Sequence, residues 1–271
     1  MSADVYPGTA HHQRVLRAVV SYYAPDPRVL AVLVFGSLGR GTWDRYSDLD
    51  LDIILVDGVS VAPAQELERL CATFAPIGER AALIVPKRTD EGDVVLTSLL
   101  QLSVRYHILA STSPNIVDSL HLLWGRIGEE DIRAAGRANG RAEPEALEVL
   151  RDRCVRALLE VDVALQRRRL WFAIEQLGVA RDSVIELFAA ARGAARALHC
   201  FQSEADHSLQ VRLGATLPAG TLAAAQQALL QFLDLLERDL DTLAVGHVLL
   251  TDGQRDVLRQ IRARQAPPVV E

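Results

Sequence analysis

Apolar residues in this chain come in short dense runs before position 125 and at helical spacing after position 145. Val29–Phe35 and Leu49–Val56 are short, β-branched and apolar, and are expected as strands. Ala81–Val85 and Val94–Leu109 supply further strand candidates, the second long enough to contain a bend. Around them, Ala10–Tyr23 shows a helical stripe of Val15, Leu16, Val19 and Val20 that Pro25 and Pro27 terminate. Pro63–Phe74 is expected as a second helix. The stretch 129–144 is rich in charge, Ala and Gly and is expected as a linker or a pair of short elements. From Glu145 onward, Leu147, Leu150, Cys154, Leu158, Val161 and Leu165 recur at helical spacing. Two more helices are expected at Arg167–Gly193 and Leu222–Val245, and the Pro-containing tail 266–271 is expected to be disordered. The pattern predicts a sheet-containing domain at 1–128 and a helical domain at 145–265.

Composition narrows the function. With 49% apolar and only 5% aromatic residues, the cores are built from Ala, Leu and Val. A net charge of -6 argues against a large nucleic-acid footprint, which needs a basic face. The three cysteines, Cys71, Cys154 and Cys200, lack paired spacing and read as reduced thiols. No signal-peptide layout opens the chain, and no apolar run reaches the ~20 residues of a membrane helix. A cytoplasmic location is the expectation, and the oligomeric state is left open.

The chemistry concentrates in Val32–Leu55, VLVFGSLGRGTWDRYSDLDLDIIL. A strand ends at Phe35, and Gly36 permits a tight turn with close backbone approach. Ser37 offers a hydroxyl and a backbone N–H to a phosphate. In the next strand Asp48 and Asp50 point to the same face, because side chains alternate. Two adjacent carboxylates repel unless one is protonated or a cation lies between them. Magnesium takes a few carboxylates together with substrate phosphate oxygens, so the pattern describes a metal–triphosphate site.

This segment resembles the signature of the DNA-polymerase-β-like nucleotidyltransferase superfamily: Phe35-Gly36-Ser37, the spacer Leu38–Ser47, then Asp48-Leu49-Asp50-Leu51. Arg40–Thr42 and Ser47–Asp48 resemble the aminoglycoside- and lincosamide-type members. The resemblance implies an α+β chain, with a mixed sheet and helices followed by a C-terminal helical bundle. It implies that Asp48 and Asp50 coordinate Mg²⁺ and that Gly36 and Ser37 hold the β- and γ-phosphates. Arg40 would add positive charge near the triphosphate, or stand as a solvated loop arginine. An acceptor hydroxyl would attack the α-phosphorus in line, and pyrophosphate would leave.

The superfamily places a third acid on a later strand. Gln101, in Leu99–Val104, occupies that position, and it can neither take a proton nor bring charge. Asp52 shares the face of Asp48 and Asp50 and is an alternative, although pairing with an arginine is the favoured reading. Asp93 and Glu79 are weaker substitutes, expected at the surface. Arg167–Phe188 resembles the C-terminal helix of aminoglycoside- and lincosamide-type enzymes. On a helical wheel Arg168, Trp171, Glu175, Gly178 and Asp182 fall within about 80°, opposite an apolar stripe. Glu175 is therefore a candidate general base, set against a plain solvated helix face. His11 and His12 lie near the N-terminus and are expected to do nothing chemical. The remaining histidines show no metal-ligand spacing.

The expected function is transfer of a nucleoside monophosphate, AMP foremost, from a Mg²⁺-bound triphosphate to a small-molecule hydroxyl. An aminoglycoside-like cation would suit an acidic cleft and would imply antibiotic resistance. The alternatives are a catalytically reduced, antitoxin-like binding module, or nucleotidylation of a protein side chain.

Overall fold

A computed structural model describes residues 6–140 and 145–265. The chain divides into two compact units at the boundary between residues 142 and 143. The first contains α1 (Ala10–Tyr23), β1 (Val29–Phe35), α2 (Gly36–Arg40), β2 (Leu49–Leu55), α3 (Pro63–Ala72), β3 (Ala81–Pro86), β4 (Glu91–Leu96), β5 (Gln101–Ile108), β6 (His121–Gly125) and α4 (Glu129–Ala138).

Its sheet has the order β3-β4-β5-β2-β1-β6. The pair β2–β5 is parallel and the other neighbours are antiparallel, so the sheet is mixed. Strand alternation sorts the β2 side chains. Leu49, Leu51, Ile53 and Leu55 enter a core with Val15, Leu16 and Val19 of α1 and Leu67 and Leu70 of α3. Asp50, Asp52 and Ile54 face the other way. There Ile54 joins Ala31, Leu33, Ile116, Leu120 and Ile132 in a smaller core.

The stretch 129–138, expected as part of a linker or of a pair of short elements, is a helix. Gly128 precedes a first turn carrying Glu129, Glu130 and Asp131, and Asp131 accepts from the Gly128 N–H at 3.0 Å. Acidic residues suit a helix N-terminus, and Ile132 is the apolar anchor that buries the helix. One buried apolar residue is too sparse to show as a periodic stripe. Residues 141–144 of the expected linker and the tail 266–271 lie outside the described residues. The expected strand at Val94–Leu109 is two, because Leu99 turns the chain at φ 68° between β4 and β5. β6 is a short strand that the hydrophobic pattern did not separate from its surroundings.

The second unit is helical: α5 (Leu147–Gln166), α6 (Leu170–Ala190), α7 (Ala197–Glu204), α8 (His207–Ala215), α9 (Leu222–Leu243) and α10 (Asp252–Gln265). One apolar core runs through it, with Leu158, Val161, Leu177, Val184, Phe232 and Ile261 fully or almost fully buried. Arg168 is not helical as expected. It takes φ 56° in the α5–α6 turn, and α6 begins two residues later. The shorter α7 and α8 escaped the pattern. So did α10, which buries only Leu258, Ile261 and Gln265. Among the described residues, no helix is long and apolar enough to cross a membrane.

Candidate active site

Gly36 starts α2 at φ 71°, a region that L side chains avoid. A Cβ on Gly36 would overlap Oδ2 of Asp50. The strand register explains this: Phe35 pairs with Asp50, so the turn that leaves β1 folds over the carboxylate of β2. The Gly36 N–H donates to Ser119 Oγ at 3.3 Å. A Cβ on Gly39 would overlap the Ser119 carbonyl oxygen. Ser119 thus fixes where α2 lies, a role that no spacing in the sequence announced. Gly36→Ala is expected to cost about 1–3 kcal/mol through its positive φ and the displaced carboxylate. Thermal unfolding checks this, and an unchanged Tm would mean that the turn yields freely.

Asp48 precedes β2 by one residue and is exposed, whereas Asp50 is half-buried within the strand. A cavity of about 550 Å³ opens at this strand end, lined in part by Asp48, Gln101, His11, His12, Tyr46 and Ser98. Gln101 begins β5 and reaches the same cavity as Asp48, so the structure brings these two together. Arg40 lines a different cavity of about 420 Å³ with Trp43 and His121; the arginine at the Asp48 cavity is Arg45.

Across the sheet the aspartate face continues as paired rows. Asp50 is level with Ser103 of β5, and Ser103 with Asp93 of β4. Ser103 Oγ donates to Asp93 Oδ1 at 2.9 Å, and Lys87 Nζ lies 2.7 Å from Asp93 Oδ2. Asp93 is therefore not the plain surface carboxylate expected. The next row pairs Asp52 with Arg105. Asp52 is 0% exposed; its Oδ1 accepts from Arg105 Nε at 3.0 Å, and its Oδ2 meets Arg105 Nη2 and His107 Nε2. Both oxygens are engaged, so Asp52 is not available as the third acid. Glu79, also expected at the surface, is buried, and it accepts from Thr97 Oγ1 and the Ser98 N–H. That carboxylate holds the β4–β5 turn that walls the cavity.

His12 is the largest departure from expectation. It is 1% exposed and spans α1 and the loop before Asp48. Its imidazole pKa lies below the usual value, chiefly because burial penalises the cation. The Thr9-x-x-His12 spacing of a capping box was a signal available in the sequence. In the helical unit, Glu175 stands exposed on α6, one turn from Trp171, which is 79% exposed.

Among the described residues, no group of three or more His, Cys, Asp or Glu side chains is arranged to hold a metal. The carboxylate set at the strand end is Asp48 and Asp50. Such a pair does not form an all-protein cage, but it matches the few carboxylates that magnesium takes beside phosphate oxygens.

Residues 13–119 match the family model described as nucleotidyltransferase domain. No curated protein matches the chain significantly. Solved structures similar to it include an aminoglycoside 6-adenyltransferase from Bacillus subtilis, at 10% identity and a TM-score of 0.43, covering 93% of this chain and 98% of that one. A nucleotidyltransferase-like protein from Exiguobacterium sibiricum aligns at 12% identity and a TM-score of 0.36, covering 93% and 87%. The Thermotoga maritima CCA-adding enzyme complexed with tRNA aligns at 11% identity and a TM-score of 0.37, covering 96% and 72%. The Gly36–Ser37 turn and the Asp48/Asp50 pair both lie inside the matched segment. Residues 13–119 therefore form a nucleotidyltransferase domain, which supports a transferase activity for the chain.

Proposed function

We propose that Asp48 and Asp50 hold Mg²⁺ with a nucleoside triphosphate, ATP foremost, and that AMP passes to a hydroxyl of a small cationic acceptor. The observation that carries this reading is the Gly36 backbone lying against the Asp50 carboxylate, with Asp48, two residues before it, lining a cavity. A phosphate held by the Ser37 N–H and hydroxyl would follow directly on Gly36, whose backbone lies against the Asp50 carboxylate. Bound there, magnesium would offset charge on the attacking and leaving oxygens. Asp50 is fixed by its strand and by Gly36, so its carboxylate needs little rearrangement to bind. Asp48 is freer and adapts to the phosphates.

The acceptor is read from charge. The face that carries the site sets Asp48, Asp50, Asp52, Glu91 and Asp93 against Arg105 and Lys87. An acidic surplus favours a cationic acceptor, of which aminoglycosides are one class. Glu175 is the proposed general base for the acceptor hydroxyl. Glu175→Gln is expected to lower turnover by about 10²-fold or more, the usual share of a general base, with nucleotide affinity unchanged. Equal turnover in the variant removes it from the site.

A second reading, a binding module with reduced catalysis, is favoured by Gln101 at the cavity and Ser103 beside Asp50, where a further acid would complete the set. Incubating the chain with Mg²⁺, labelled ATP or GTP, and a panel of aminoglycosides and lincosamides separates the two. Acceptor-dependent pyrophosphate release supports the enzyme acting on small molecules. Nucleotide binding without turnover on any acceptor supports the module.

A further inference from the structure

The first turn of α1 enters the wall of the Asp48 cavity, and His12 makes polar contacts on both sides of its ring. The Thr9 N–H donates to His12 Nδ1 at 3.0 Å. That bond leaves the ring proton on Nε2, which donates to the Ser47 carbonyl at 3.0 Å. The Ser47 carbonyl belongs to the peptide plane that carries the Asp48 nitrogen, so holding the oxygen orients the residue that follows. Among the described residues, the other hydrogen bonds of this loop are local. Asp44 N–H donates to Ser47 Oγ at 2.9 Å, Tyr46 N–H to Asp44 Oδ1 at 2.8 Å, and Ser47 N–H to the Asp44 carbonyl at 3.3 Å. The β2 pairing begins only at Leu49. Asp48 therefore lies beyond the ladder, and His12 ties its neighbour to a helix. Gly8 packs closely against His12, and a Cβ at that position would overlap the side chain. The charged or titratable groups nearest the ring are His11 on the same turn and Asp44 in the loop.

We propose that His12 is a positioning residue for Asp48: by fixing the Ser47 carbonyl it sets the affinity of the site for a divalent cation. The inference rests on the metal–triphosphate reading above. Supports one step removed from a metal ligand commonly govern affinity by orienting it.

Mn²⁺ binding to the full chain, followed by loss of the free-ion paramagnetic resonance signal, tests this alongside thermal unfolding. His12→Asn keeps an acceptor near the Nδ1 position for Thr9 and removes the donor to Ser47. His12→Gln keeps an amide donor near the Nε2 position and removes the cap acceptor. The expected result for His12→Asn is a Kd for Mn²⁺ raised by about tenfold or more with a nearly unchanged Tm. His12→Gln is expected to bind Mn²⁺ like the parent chain although its Tm falls. Parent-like Mn²⁺ binding in His12→Asn overturns the proposal. So does affinity that falls in both variants in step with Tm, since His12 would then be only structural. Absent Mn²⁺ binding in the parent chain, or binding that survives Asp50→Asn, defeats the metal reading itself and the proposal with it.

Discussion

Asp50→Asn lowers pyrophosphate release by more than about 100-fold, beyond the range seen when a support outside the metal shell is lost. The substitution keeps size and hydrogen-bonding shape, so the strand and its contact with Gly36 persist. It removes a negative charge from a half-buried position, where water compensates less than it does at the exposed Asp48. For that reason Asp48→Asn is expected to reduce the rate less than Asp50→Asn. The check is acceptor-dependent turnover at saturating nucleotide, with unfolding temperature as the control. Asp50→Asn with near-parent turnover would remove the aspartate pair from the chemistry.

Arg105→Leu is expected to destabilise the N-terminal unit by about 3 kcal/mol, the lower part of the range for breaking a buried ion pair. Asp52 is fully buried, and its carboxylate is left with His107 when the guanidinium goes. The lower figure is appropriate because the Arg105 side chain is 26% exposed and water screens part of the interaction. The double variant Asp52→Asn/Arg105→Leu recovers part of the loss, since the orphaned charge is gone. Urea unfolding of the three proteins measures both effects. An equal loss in the single and double variants would show that Arg105 acts by packing and not by charge.

These two aspartates, two residues apart on one face, show how far the sequence reaches. Alternation alone places Asp50 and Asp52 together, and the Phe35-Gly36-Ser37 turn locates the chemistry beside them. What alternation cannot supply is the neighbour across the sheet. Arg105 and Ser103 come level with the aspartates only through a parallel pairing whose register no local pattern encodes. The same lack misplaced Asp93 and Glu79, whose partners are set by the β3–β4–β5 meander. Long periodic helices such as α1, α5, α6 and α9 were legible because each repeats a buried stripe over several turns. α4 and α10 were not, because few of their residues are buried and tertiary contacts, not periodicity, hold them. His12 was overlooked for a related reason: its capping role is local and readable, but its bond to Ser47 joins positions far apart in the chain.

The parallel pairing of β2 with β5 also orders how the site comes together. β1, α2 and β2 are contiguous, and their antiparallel pairing closes a short loop. β2 meets β5 only after α3, β3 and β4 have intervened. Loop-closure entropy rises with the length enclosed, so the short pairing is favoured to form before the long one. Gly36 and Asp50 would then meet early during folding, on a strand whose other edge is still unpaired. Until β5 arrives, Asp50 and Asp52 lend that open edge charge, which discourages its pairing with strands of other chains.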